Sequence, residues 1–357
     1  MDSDGSSGMT PGPDRTASRE PLLEVRGLEV RIERDTGVVR PLNGVSFRVE
    51  EGQSVAIVGE SGCGKTMAAN ALLRILPRSS EITGGEMLFR PGKGEPAVDL
   101  ARLDPGGRQM RDIRGGGISM IFQEPMTAFS PVHTVGNQIA EMIRLHDGGL
   151  DAGQREERVV ELLDRVGIPQ PAERARDYPF QLSGGMRQRA MIAMALASSP
   201  RLLIADEPTT ALDVTVQARV LKLIERMQRE LDLALMLITH DLGVVAHTVS
   251  YVYVMYLGRV VEEGPVERIF DSPAHPYTAA LLRSIPNLAA RTEKLEPIEG
   301  TVPSAHALPP GCPFHPRCRE KVGEVCEREM PGREAVEPGH FASCFRLSGE
   351  TGGGAGG

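Results

Sequence analysis

The run Gly59-Glu60-Ser61-Gly62-Cys63-Gly64-Lys65-Thr66 fits the pattern G-x-x-x-x-G-K-[ST]. It follows an apolar stretch at 54–58 and opens a helical pattern over 67–76, the strand–loop–helix setting in which this spacing binds phosphate. Gly59, Gly62 and Gly64 permit a tight turn. Backbone N–H groups around Ser61, Gly62, Cys63 and Gly64 can then face phosphate oxygens at a helix N-terminus. Lys65 is expected to reach the β and γ phosphates of a nucleotide, and the Thr66 hydroxyl to hold Mg²⁺. Cys63 reads as a space-filling residue of this loop and not as a ligand.

A second chemical feature is the apolar stretch 202–205 ending in Asp206 and Glu207. Continuous apolar sequence marks a strand buried on both faces, and the carboxyl end of such a strand is where ligands bind. Asp206 suits Mg²⁺, partly through water. Glu207 suits the orientation and deprotonation of an attacking water. A third is Leu182-Ser183-Gly184-Gly185, ahead of a strong helical pattern over 186–197. Ser183 is a good helix cap, and the two glycines allow close backbone approach to an anion. The segment reads as a plain cap or as an anion site.

These groups need a frame. With 357 residues, 40% hydrophobic and 25% charged, the chain suits a core domain plus an appendage. β-Rich segments at 22–49, 118–122, 202–205, 234–238 and 251–261 alternate with helical patterns at 67–76, 134–198 and 214–231. The fold class is therefore α/β, with a helical insert at about 125–198 between two sheet strands. Residues 91–107 read as a surface loop. Residues 1–20 read as a disordered tail, 21–285 as the core domain, 286–347 as an irregular extension and 348–357 as a flexible glycine tail. The net charge of −8 argues against a nucleic-acid partner. No apolar run reaches the ~18 residues that span a bilayer, and no secretory signal opens the chain, so a cytoplasmic location is expected.

Cys312, Cys318, Cys326 and Cys344 gather four of the five cysteines into the extension. In a reducing compartment such clustering favours a metal over disulfides. Their spacing, C-x5-C-x7-C-x17-C, matches neither zinc-ribbon nor ferredoxin runs. Four thiolates can hold a [4Fe–4S] cluster or Zn²⁺.

GESGCGKT, LSGGMRQR and LLIADEP resemble the Walker A, signature and Walker B motifs of the ATP-binding subunits of ABC transporters. Gln123 in IFQEP is similar to their Q-loop glutamine, Asp213 in Ala211-Leu212-Asp213 to their D-loop residue, and His240 in ITHD to their switch histidine. The resemblance covers about residues 22–285. It implies an ABC-type P-loop ATPase core and a head-to-tail dimer, with ATP between one subunit's Walker A and the other's signature. Ser183, Gly184 and Gly185 would then serve the partner's nucleotide. Gln123 would sense the γ-phosphate and Mg²⁺, and His240 would hold the γ-phosphate and the attacking water.

Finer phrases, IFQEPMTAFSPVHTVGNQIAE, TTALDVTVQARVLKLI, HPYTAALLRSIP and the GCPFHPRC tail, resemble the oligopeptide/dipeptide importer branch, which includes nickel importers. That likeness implies a second, paralogous ATPase subunit, two transmembrane permease subunits and, indirectly, an extracytoplasmic solute-binding protein. It places the chain peripherally at the cytoplasmic face of the membrane, and for the cysteines it favours the iron–sulfur cluster. The alternative, a soluble ABC ATPase acting on nucleic acid or ribosomes, usually carries a coiled-coil insertion or two modules, and neither is present. One departure concerns adenine, which the family stacks on an aromatic ahead of the second strand. Between Leu28 and Pro41 there is none, which leaves Arg34 or Val39 for that contact.

Overall fold

The computed structural model describes residues 20–35, 37–210, 212–284 and 298–348. The expected N-terminal tail up to residue 19, the glycine tail from 349, and the start of the extension to 297 lie outside the described residues.

Five parallel strands form one side of an eight-stranded sheet: Tyr251–Tyr256, Ser54–Val58, Ala234–Thr239, Leu202–Asp206 and Ile118–Ile121. These strands are mostly apolar because both of their faces are covered. Val55 and Ile57 feed one core and Ala56 and Val58 the other, as do Leu202 and Ile204 against Leu203 and Ala205. That is the two-residue period of a strand. On one face lie the helices of the insert, and on the other an antiparallel sheet built from Leu23–Arg34, Gly37–Val49 and Ser80–Phe89.

The insert supplies the crossover between the neighbouring strands Ile118–Ile121 and Leu202–Asp206. Its helices Val135–His146 and Ala152–Arg165 begin where the sequence offers caps. Thr134 Oγ1 accepts from Asn137 N at 3.3 Å, and Asp151 and Gln154 form a reciprocal capping box.

Three expectations are corrected. The helix after the phosphate loop is Lys65–Leu72, shorter than the pattern over 67–76, because Arg74 turns into the left-handed region. Within 91–107, Val98–Asp99 pairs with the end of Ser80–Phe89, and the wholly buried Leu100 anchors a short helical turn. The extension is not wholly irregular either. His340–Ala342 extends the central sheet antiparallel to Arg259–Pro265, and Glu334–Glu337 pairs antiparallel with His340–Ala342 in turn. Their short length and polar faces hide them from a search for alternation.

Candidate active site

The phosphate loop leaves the sheet at the carboxyl end of Ser54–Val58. Gly59 and Gly64 have φ of 151° and 107°. A Cβ at Gly59 would lie 2.2 Å from the Met255 carbonyl oxygen, and one at Gly64 would lie 2.3 Å from that of Pro41. Only glycine lets this loop lie flat on its neighbours. Lys65 is buried, and its Nζ donates to the carbonyls of Gly59 at 2.8 Å and Glu60 at 3.1 Å. The ammonium thus spans the mouth of the loop. Cys63 packs beneath as expected, and burial pushes its thiol pKa up.

Two strands away, Leu202–Asp206 ends with its carboxylates on different duties. Thr66 Oγ1 donates to Asp206 Oδ1 at 3.2 Å, so the phosphate loop and this strand converge on one point. Asp206 is 2% exposed. Burial raises its pKa, the Thr66 hydrogen bond opposes that, and the neighbouring charge of Glu207 adds to it. A buried carboxylate with a hydroxyl beside it matches the oxygen donors that Mg²⁺ takes.

Glu207 adopts φ of 45°, held by its N–H donating to Ile238 O at 2.8 Å. Such a conformation in a non-glycine residue costs about 1–3 kcal/mol and turns the side chain away from the strand direction. Its carboxylate accepts from Gln123 Nε2 at 2.9 Å and Thr210 Oγ1 at 2.9 Å, and His240 Nδ1 stands 3.1 Å away. Partial burial works to raise its pKa, yet the hydrogen bonds from His240 and Thr210 outweigh it and hold the carboxyl below its usual range. Glu207 is therefore an ionised acceptor, as a base must be. Gln123, Glu207 and His240, 84 and 33 residues apart, thus form one constellation.

Residues 42–210 match the family model described as ABC transporter, and residues 261–326 match the one for the C-terminal region of oligopeptide/dipeptide transporters. A probable peptide ABC transporter ATP-binding protein, y4tR, of Sinorhizobium fredii is 50% identical over 327 residues, 91% of this chain and 95% of that protein. The chain belongs to the ATP-binding subunits of the oligopeptide/dipeptide ABC transporters. It is an ATPase of that family. The dipeptide transport ATP-binding protein DppD of Bacillus subtilis is 46% identical to this ABC subunit, over 91% of this chain and 95% of its own. Among solved structures, a dimeric ATP-binding cassette in a post-hydrolysis state, bound to ADP and Pi, superposes with a TM-score of 0.60 at 25% identity, covering 69% of this chain and 99% of its own.

The remaining site residues of the ABC subunit lie apart from this constellation. Ser183 caps the helix Gly184–Leu196 by accepting from Met186 N at 3.3 Å, so the cap reading holds whatever else it binds. Gly184 is exposed and Gly185 half-buried at that helix start. Asp213 likewise caps Val214–Leu231, accepting from Val216 N at 3.0 Å; Ala211 of the same motif lies outside the described residues. Gln188 was not singled out by the sequence. It is buried on the signature helix and donates to Pro208 O at 2.6 Å, tying that helix to the residue after Glu207. Thr210 was missed too, although its place three residues after Glu207 in a turn is a usable signal. Of the two substitutes for the adenine aromatic, Val39 is buried opposite Ile32, and Arg34 is exposed.

In the extension, Cys312, Cys318, Cys326 and Cys344 all line one small cavity. Burial first, and the other thiols second, push the pKa of Cys312 up to about 11 and raise those of Cys318 and Cys344. Among the described residues, no three His, Cys, Asp or Glu side chains stand as they would around a metal ion. Nor is any helix among them long and apolar enough to cross a membrane.

Proposed function

We propose that this ATPase powers the import of peptides or similar small solutes through a pair of membrane permeases, docked peripherally at the cytoplasmic face. The support is the joint occurrence of an intact hydrolysis constellation and a C-terminal region of the oligopeptide/dipeptide type. In this reading ATP lies on the phosphate loop, with Lys65 and the loop N–H groups of Ser61, Gly62, Cys63 and Gly64 on its phosphates. Thr66 and Asp206, together with Gln123, would hold Mg²⁺, which supplies charge neutralisation on those phosphates. Glu207 accepts the proton of the attacking water, and His240 fixes the γ-phosphate and water from the other side. Ser183, Gly184, Gly185 and Asp213 complete the nucleotide site of a second ATPase subunit, a paralogue, packed head to tail.

For the four cysteines we propose a [4Fe–4S] cluster, with Zn²⁺ as the alternative. A shared cavity and four soft thiol donors favour it; ligation would draw the thiols closer together than they stand. Iron, sulfide and zinc content of the purified chain decides between them, and Cys318→Ser should abolish whichever is found.

The transport reading is tested by tagging the chain, extracting native membranes gently and identifying what accompanies it. Two permeases and a second ATPase are expected, with the solute-binding protein joining only through the permeases. Recovery of the chain alone in the soluble fraction, or with ribosomes or nucleic acid, would overturn it.

A further inference from the structure

Glu60 places a carboxylate inside the loop that must accept a polyphosphate anion. Like charges a few ångströms apart repel by kilocalories when partly desolvated. The structure gives this carboxylate a dedicated partner from the opposite end of the chain. Arg317 Nη1 donates to Glu60 Oε2 at 2.6 Å, and Nη2 donates to Oε1 at 3.1 Å. This is the bidentate fork that makes arginine–carboxylate pairs strong and directional. The arginine side chain is 3% exposed and that of Glu60 24%, so salt screens the pair weakly.

The guanidinium is itself held in place. Its Nε donates to Glu299 O at 3.0 Å, Nη2 to Ile298 O at 3.3 Å and Nη1 to Tyr256 Oη at 3.3 Å. On the loop side, the Glu60 N–H donates to Tyr277 Oη at 2.9 Å, while the Glu60 carbonyl accepts from Lys65. The residue that positions Lys65 is therefore gripped by main chain and side chain together. The ion pairs Arg346–Glu320 and Lys321–Glu327 stay within the extension, and Arg333–Glu263 and Arg268–Glu337 tie it to the sheet edge and the helix that follows. Arg317 instead reaches the nucleotide loop from the short turn His315–Arg317, between Cys312 and Cys318.

We propose that Arg317 is a positioning residue for the nucleotide: it neutralises and anchors Glu60, so that the extension sets the affinity of the phosphate loop for ATP. This rests on the phosphate-loop reading, which the parental chain and a Lys65→Ala variant test separately by binding and losing nucleotide.

The experiment titrates a fluorescent ATP analogue into the full chain. Arg317→Ala should weaken binding about tenfold, the scale of one uncompensated charge near the triphosphate at intermediate dielectric. Arg317→Lys should recover part of the loss, since it restores charge without the fork. The decisive variant is Glu60→Gln in the Arg317→Ala background, which should restore most of the affinity because the repelling charge is gone. Limited proteolysis of both variants reports whether the extension has loosened. If it loosens equally in both, affinity should still return only in the double variant. Parental affinity in Arg317→Ala would overturn the proposal. So would a double variant that binds as weakly as the single one, since that marks Arg317 as a staple of the extension alone.

Discussion

The two ends of the eight-stranded sheet are held by opposite means. At the carboxyl ends of its parallel strands, Lys65, Thr66, Asp206, Glu207 and His240 are delivered by loops that follow strands directly. Backbone geometry aims them, and hydrogen bonds of 2.9–3.2 Å link them across adjacent strands at Gln123–Glu207 and His240–Glu207, and across one intervening strand at Thr66–Asp206. At the antiparallel edge, Arg259–Pro265 receives the extension through buried polar pairs. Glu262 and His340 are both wholly buried, 2.7 Å apart, and Glu262 also accepts from the N–H groups of Ala274 and His275. The active edge keeps the His240 ring exposed and accepts strain at Glu207; the docking edge buries Glu262 against two N–H donors and the His340 ring, and leaves the Nδ1 of His340 buried without a partner among the described residues.

The largest test of that contrast is Glu207→Gln. General base catalysis contributes about 10²–10⁴ in rate, so ATP turnover should fall by that factor, with bound ATP retained. Turnover at the parental rate would remove Glu207 from the base role.

Next comes the docking edge. His340→Ala leaves Glu262 buried without its ring partner and should cost about 3 kcal/mol, the scale for breaking a buried pair. Denaturant unfolding of the full chain measures this. A cost within experimental error would mean the pair is ornamental to docking.

A smaller effect of opposite sign is expected at the active edge. Asp206 carries its charge against desolvation, so Asp206→Asn should raise the melting temperature of the nucleotide-free chain by a few degrees. It should also abolish Mg²⁺-dependent hydrolysis, as expected where function is held at a cost in stability. Lower melting would show that the carboxylate stabilises the fold.

A last effect concerns pH. Burial, with the charge of Arg346 second, pushes the His275 pKa down to about 3, and its Nδ1 accepts from Tyr277 N at 3.0 Å. The unfolded imidazole titrates near 6.5. Between those values the unfolded state binds a proton that the folded state refuses. Stability should therefore fall as pH drops below about 6.5, by up to about 1.4 kcal/mol per unit from this group. His275→Asn, which can keep the cap, should flatten that slope in acid unfolding curves; an unchanged slope assigns it to other groups.

The sequence by itself determined the parallel core and the crossover insert, and it named the residues proposed for the nucleotide site. Apolar runs of strand length, glycines where φ is positive and carboxylates at a strand end each express a local rule that survives folding. It also marked Ser183 as a helix start, which capping chemistry makes local. Only the tertiary structure decided that Gln123 and His240 meet at Glu207, that the extension continues the sheet, and that Arg317 reaches Glu60 across 257 residues. No period or spacing encodes such pairs. An arginine or a histidine in a Pro-rich segment looks solvated until the chain folds back and removes its water, and only then does burial force it to find a partner of opposite charge.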